Sequence, residues 1–85
     1  MLVIADNEVL CRTLVRIVER IGCRARRAHR GAKGLELVAE DVPNLILLDL
    51  FVPDMNGAQF LEELRKTHPS LPMVIVTGYP DSDII

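Results

Sequence analysis

The chain is poor in aromatic residues and cysteine, and it contains no long hydrophobic run. No aromatic side chain lies among the arginines of residues 12–33, so this basic segment lacks the stacking platforms of a single-strand nucleic-acid binder. No apolar stretch approaches the roughly 20 residues that span a membrane. Asp6 and Glu8 interrupt the N-terminal apolar run, unlike a signal peptide. We therefore expect a cytoplasmic protein with no membrane partner.

The two cysteines and two histidines show no metal or redox spacing. Cys11 and Cys23 lie twelve residues apart, which matches neither a C-x-x-C pair nor a zinc pair. We interpret both as small buried hydrophobic residues, with a disulfide as the minor alternative. His29 and His68 are interpreted as surface residues, and no glycine-rich phosphate loop is present.

Opposite charges are segregated along the chain. Residues 12–33 hold eight basic residues against Glu19 alone, whereas the other positions hold two basic residues against eleven acids. A basic half can meet nucleic acid or an acidic partner. Because aromatic residues are missing from it, we favour the simpler interpretation of a solvated face.

Apolar runs and amphipathic segments alternate along the 85 residues, which suffice for one small domain. Strands are predicted at 2–5, 23–28, 45–48 and 73–76, with helices at 9–21, from 31 to before Pro43, and at 57–66. Gly22 is predicted to end the first helix, and a further helix start is predicted at 80–83. The first helix should bury Leu10, Leu14, Ile17, Val18 and Ile21, and Glu62 should pair with Lys66. The alternation predicts an α/β fold with a parallel sheet, right-handed crossovers and helices on both faces.

Polar residues follow three of the four predicted strands: Asp6-Asn7-Glu8, Asp49 and Thr77. Because the carboxyl ends of parallel strands share one edge, these groups should converge there. Their oxygens suit Mg²⁺, and a carboxylate beside that ion can accept a phosphoryl group as an acyl phosphate. Thr77 can donate a hydrogen bond to a phosphoryl oxygen. The simpler alternatives are Asp6 as a helix N-cap, Thr77 as a strand end and Asp54 as a turn residue.

These residues, with Pro53 and Gly57 after Asp49 and with Gly78 after Thr77, resemble the receiver domain of bacterial two-component response regulators, of the chemotaxis-receiver-like type. The resemblance runs through the whole chain in order and spacing. It implies a flavodoxin-like doubly wound parallel sheet of order 2-1-3-4. It also implies a sensor histidine kinase or phosphotransfer protein as partner, and a signalling module rather than an enzyme.

The resemblance also assigns roles to individual residues. Asp49 becomes the phosphorylation site, and Thr77 becomes the switch residue that stabilises the phosphoryl group. The Mg²⁺ ligands become Asp6, Asn7, Asp49 and the backbone carbonyl of Phe51. A phosphatase of the dehalogenase type is disfavoured, because that family needs a second aspartate where Phe51 stands.

Two departures from the family pattern affect these expectations. Asn7 stands where receivers usually carry a second acid, so Mg²⁺ should bind weakly, with absence of the ion as the alternative.

We interpret residues 1–85 as a single truncated receiver domain that lacks the fifth strand, the last helix and the family lysine. The alternative function is therefore a degenerate receiver that acts as a phosphorylation-independent interaction module. We expect nucleic acid only through an output domain outside these residues. Homo-oligomers are expected through the apolar edge of the fourth strand.

Overall fold

A computed structural model describes residues 1–49, 52 and 54–76. The elements in chain order are β1 (Leu2–Ile4), α1 (Glu8–Arg20), β2 (Arg26–Ala28), α2 (Gly31–Glu40), β3 (Ile46–Asp49), α3 (Gly57–Thr67) and β4 (Met73–Val76). The predicted order of elements is confirmed, and most boundaries shift by one or two residues. The second strand is shorter than predicted, since it begins at Arg26 and not at Cys23. The helix start predicted at 80–83 lies outside the described residues.

The four strands form one parallel sheet in the order β2-β1-β3-β4, which confirms the predicted α/β topology. Leu2 at the start of β1 lies opposite Arg26 on one side and Ile46 on the other. At the far end of the sheet, Asp49 lies opposite Val76. All four carboxyl ends therefore meet at one edge of the sheet, which we call the carboxyl edge.

Successive residues of β1 pack into two separate cores, because side chains alternate across a strand. Leu2 and Ile4 belong to the larger core, whose helical members come from α2 and α3, whereas Val3 and Ala5 pack with α1. The larger core contains Leu2, Ile4, Ala28, Val38, Ile46, Leu48, Val52, Phe60, Leu64 and Leu71. Helices thus cover both faces of the sheet, as predicted.

Helix α2 lies unusually close to β1 at Gly34. A Cβ atom at this position would lie only 2.4 Å from Cδ1 of Ile4 and 3.5 Å from Cε2 of Phe60. A distance of 2.4 Å is well inside van der Waals contact, so a side chain at position 34 would require the Ile4 side chain or the helix to move. This close contact could not be predicted from the sequence, because a single glycine in a helical segment has no periodic signature.

The cysteines largely follow the prediction of buried hydrophobic residues. Cys11 is fully buried on the inner face of α1, and Cys23 is half-buried against the same core. Burial raises the pKa of the Cys11 thiol above its ordinary value, and the nearby charge of Arg27 opposes part of this rise. Both thiols are free, so the disulfide alternative is wrong.

Three predicted side-chain placements are wrong. Ile17 and Ile21 were expected to face inward, but they are 53% and 68% exposed, because the buried stripe of α1 runs through Cys11 and Val18 instead. The ion pair of Lys66 forms with Glu63, at 3.0 Å between Nζ and Oε2, and not with Glu62. Both side chains of the observed pair are well exposed, so this change of partner has little effect on stability.

Strand β4 lies at one end of the described sheet and is only partly buried. Val74 and Ile75 are 48% and 49% exposed. Within the described part of the chain, β3 is the only strand that pairs with β4, and none of the described helices makes extensive contact with it. The exposure of these two residues agrees with the apolar edge that the sequence predicts for the fourth strand.

The basic segment is partly structural. Arg12, Arg16 and Arg20 are exposed on α1, which agrees with a solvated face. Arg26 behaves differently, because its guanidinium donates hydrogen bonds to the carbonyl oxygens of Leu37, at 3.2 Å, and Asp41. Since a helix C-terminus leaves carbonyls without partners, Arg26 stabilises the end of α2 from the neighbouring strand.

Gly22 ends α1 in the predicted way. Its φ angle is +90°, the left-handed region, and its N–H donates to the carbonyl of Glu19 at 3.1 Å. The N–H of Cys23 donates to the carbonyl of Val18 at 3.2 Å. This pair of bonds is the Schellman motif, which satisfies carbonyl groups that the helix end would otherwise leave unpaired.

We expect Gly22→Ala to lower the free energy of unfolding by about 1 kcal/mol, because an L side chain is strained in the left-handed region. Nothing lies within 4 Å of the added Cβ, so the loss would be conformational and not steric. Gly22→Asn is the matched control and should lose less, since asparagine tolerates this region better. Urea unfolding measures both variants, and an alanine variant as stable as the parent would contradict the prediction.

Candidate functional site

Asp49 is the last residue of β3, an interior strand of the sheet, and its side chain is 5% exposed. The register carries it to the carboxyl edge, one position beyond the pairing of Leu48 with Ile4 of β1 and opposite Val76 of β4. Of the described residues, Asp49 is the single buried charged one. A buried carboxylate at a ligand-binding edge of an α/β sheet is a strong candidate for chemistry.

Asp6 and Asn7 follow β1 and reach the same edge. Ala5 extends the pairing beyond β1, since its N–H donates to the carbonyl of Ala28 at 3.0 Å. Asp6 is exposed, and the side-chain oxygen of Asn7 accepts a hydrogen bond from the N–H of Leu10 at 3.1 Å. Asn7 is therefore the N-cap of α1, and the alternative that gave this role to Asp6 is wrong.

The first turn of α1 also contacts the segment after β2. Oε1 of Glu8 lies 2.9 Å from Nε2 of His29, and Oε2 of Glu8 lies 4.0 Å from the guanidinium of Arg12. All three side chains are about half exposed, so these pairs add little stability. They do place Glu8 beside the candidate site, on the side away from β3. Sequence reasoning missed this contact because His29 lies 21 residues from Glu8.

Asp54 joins the loop after β3 to helix α2. Its carboxylate accepts hydrogen bonds from the N–H groups of Gly31, at 2.8 Å, and Ala32, at 2.9 Å. These bonds from Ala32 and Gly31 hold the pKa of the Asp54 carboxyl below its ordinary value of 3.8. The interpretation of Asp54 as a turn residue is therefore incomplete, because its side chain serves another helix.

Helix α3 begins with a capping box that the sequence analysis missed. The side chain of Asn56 accepts from the N–H of Gln59 at 2.8 Å, and the side chain of Gln59 accepts from the N–H of Asn56 at 3.0 Å. The spacing of a cap residue and a Gln three positions later was the available signal. The box fixes the point at which the loop after Asp49 enters α3.

The structure thus brings Asp6, Asn7 and Asp49 to one edge of the sheet. Phe51 and Thr77, the other predicted site residues, lie outside the described residues. Over the described ranges, no three or more histidine, cysteine, aspartate or glutamate residues form a metal-binding group. The carboxylates of Asp6 and Asp49 and the amide of Asn7 offer oxygen ligands only, a set that fits Mg²⁺ better than zinc.

Comparison with known proteins identifies the family. A family model described as "Response regulator receiver domain" matches residues 1–85. The chain belongs to the receiver family. The predicted resemblance is therefore confirmed. Asp49 and the carboxyl edge belong to a receiver domain of the kind found in two-component response regulators.

Curated relatives of this receiver are regulatory proteins. It is 34% identical over 82 residues to the transcriptional regulatory protein ZraR of Klebsiella oxytoca, and this match covers 96% of this chain and 18% of the relative. It is 34% identical over 77 residues to the transcriptional regulatory protein YkoG of Bacillus subtilis, and this match covers 91% of this chain and 34% of the relative. The receiver thus spans about a fifth to a third of the length of these relatives.

Solved structures agree with this assignment. A response regulator receiver domain protein (CheY-like) from Methanospirillum hungatei JF-1 superposes with a TM-score of 0.85 at 31% identity, over 92% of this chain and 62% of that chain. Receivers in general interact with histidine kinases or phosphotransfer proteins and are typically not enzymes. Magnesium and phosphorylation are typical of the family.

None of the helices in the described part of this receiver is long and apolar enough to cross a membrane.

We expect Asn7→Ala to lower the free energy of unfolding by about 1 kcal/mol, because α1 would lose its N-cap hydrogen bond. Asn7→Asp should keep the parent stability within a few tenths of a kcal/mol, since aspartate and asparagine cap helices equally well. Denaturant unfolding at neutral pH without divalent ions compares the three proteins. Equal stability of the alanine variant and the parent would show that the cap is unimportant here.

Proposed function

We propose that this receiver accepts a phosphoryl group on Asp49 from a phosphohistidine of a sensor kinase or phosphotransfer protein. The observation that supports it most directly is the buried carboxylate of Asp49 at the carboxyl edge, with the carboxylate of Asp6 at the end of the neighbouring strand. Asp49 pairs with Val76 of β4 and directly follows Leu48, which pairs with Ile4 of β1, so its approach to phosphorus needs little further ordering.

In this reaction one oxygen of Asp49 forms a bond to phosphorus while the phosphorus–nitrogen bond of the phosphohistidine breaks. The electron pair of that bond returns to the imidazole, which takes up a proton from solvent, and an acyl phosphate remains on Asp49. Asp6, Asn7, Asp49 and the carbonyl of Phe51 would hold Mg²⁺. When bound, this ion neutralises charge between the carboxylates and the phosphoryl oxygens. Thr77 is proposed as the hydroxyl that donates to a phosphoryl oxygen.

The low ligand charge of this proposed metal site follows from Asn7. The asparagine supplies a neutral oxygen where an aspartate would supply a charge, and that oxygen already accepts the bond from Leu10. We therefore propose weak Mg²⁺ binding. The receiver is proposed to work in the cytoplasm as a phosphoryl acceptor and not as a turnover enzyme. Contact with nucleic acid is proposed only through a separate output domain.

Incubation with acetyl phosphate and Mg²⁺ should add one phosphoryl group, seen as a shift in intact mass. The adduct should disappear with hydroxylamine, which cleaves acyl phosphates, and should be missing from Asp49→Asn. Asn7→Asp should raise the Mg²⁺ affinity about tenfold, which corresponds to about 1.4 kcal/mol. Titration followed by NMR measures this affinity.

No mass change at any Mg²⁺ concentration, in the parent and in Asn7→Asp, would overturn phosphoryl acceptance. Partner binding that is the same for the parent and for Asp49→Ala would then favour a phosphorylation-independent interaction module. Labelling that persists in Asp49→Asn would place the acceptor at another residue.

We also propose that the receiver self-associates through β4. Val74 and Ile75 are each about half exposed, on opposite faces of a strand whose only described strand neighbour is β3. Exposed apolar strand edges tend to pair with one another, and a second copy of the chain offers an identical edge.

Sedimentation velocity over a wide range of concentrations should show mass increasing with concentration, and Ile75→Lys should shift the chain towards the monomer. Val9→Lys is the matched control, because Val9 is a 72% exposed apolar residue on α1, away from β4. A constant monomeric mass for the parent contradicts self-association. An equal effect of the two lysine variants would show that β4 is not the interface.

A further inference from the structure

Helix α2 begins without a cap of its own. Arg30 occupies the N-cap position in an extended conformation, and its side chain makes no capping hydrogen bond. The N–H groups of Gly31 and Ala32 would therefore lack partners within the helix. They are satisfied by the carboxylate of Asp54, 22 residues after Ala32, at 2.8 Å and 2.9 Å. The cap of α2 is thus supplied by the loop that follows Asp49.

A second contact holds the same two segments together. A Cβ atom at Gly31 would lie 2.5 Å from Cγ and 2.8 Å from Sδ of Met55. Met55 also packs against the larger core, so its position is fixed from two sides. Because Gly31 has no side chain, the side chain of Met55 can lie directly against the start of α2, next to Asp54 in the chain.

The segment from Asp49 to Gly57 is consequently attached at several described points. Asp49 is held by strand pairing, Val52 is 7% exposed within the larger core, and Asn56 begins the capping box of α3. Asp54 is the point at which this segment is bound to a different helix. Its two bonds are charge-assisted, and such bonds are stronger than bonds between neutral groups.

We propose that Asp54 is a positioning residue for Asp49. By binding the N-terminus of α2, it ties the segment from Asp49 to Gly57 to that helix and so holds the chain in place beside the acceptor carboxylate. This inference rests on the proposed phosphoryl acceptance. The competing explanation is that Asp54 only stabilises α2, since a carboxylate at a helix N-terminus does so wherever it comes from.

A pair of variants separates the two roles. Asp54→Ala removes both the cap and the tie to the loop. Adding Arg30→Asp to that variant supplies a local N-cap from a residue already at the correct position, so it restores the cap of α2 but not the tie. Asp54→Asn is the conservative variant, since its single side-chain oxygen can still accept from the helix.

We expect Asp54→Ala to slow labelling of Asp49 by acetyl phosphate about tenfold to a hundredfold at saturating Mg²⁺, the size of effect that small misplacements of reacting groups produce. The double variant should regain the unfolding midpoint of the parent yet remain slow. Asp54→Asn should label at an intermediate rate. A double variant that labels as fast as the parent would reduce Asp54 to a helix-stabilising residue and overturn the proposal.

A measurement that needs no phosphoryl transfer keeps the test independent of the proposed function. The ¹⁵N order parameters of Val52 and Met55 should fall in Asp54→Ala and in the double variant, while those of Gln59 in the α3 capping box stay at the parent value. Unchanged order parameters at Val52 and Met55 would show that Asp54 does not hold this segment against α2. A parent chain that takes no phosphoryl group, combined with lowered order parameters, would overturn the function while leaving the tie intact.

Discussion

Parallel pairing of β3 with β1 and β4 is the constraint on which the rest of this receiver depends. The register places Asp49 opposite Val76 and one position beyond the pairing of Leu48 with Ile4, so an otherwise unfavourable buried carboxylate stands where the sheet ends. Among the described residues, the other candidate groups reach the site by following β1 to the same edge. Asp6 and Asn7 arrive in this way, and the sheet acts as the frame that aligns them.

The three helices of the described ranges each begin after the carboxyl end of the preceding strand, and each start is satisfied differently. Asn7 caps α1 locally, Asp54 caps α2 from a distant loop, and Asn56 caps α3 with its reciprocal partner Gln59. Helix N-termini carry partial positive charge. Three of them around an edge that holds two aspartates favour the accumulation of negative charge there. An added phosphoryl group would need this kind of support.

How much the sequence predicted depended on how local each determinant is. The apolar runs at 45–48 and 73–76 and the periodicity of the helical segments were sufficient for the element order, and Gly22 marked the end of α1. The sheet order and the family came from the resemblance to receivers, which the polar residues after the strands carry. The prediction that Ile17 and Ile21 are buried was wrong, because periodicity alone does not show how wide a face of the helix the sheet covers. The role of Asp54 was missed because its partners are over 20 residues away. The placements of Phe51 and Thr77 stay predictions.

The contact of Gly34 with Ile4 has a mechanical consequence. Most helices rest on a sheet through side chains of their own, and rotation of those side chains can absorb small displacements of the strand below. At Gly34 the helix side of the contact is backbone, against the tip of Ile4, so it has no rotamer with which to yield. A shift of β1 at this point must therefore be taken up by the Ile4 side chain or by movement of α2, because the helix has no side chain here that could turn away.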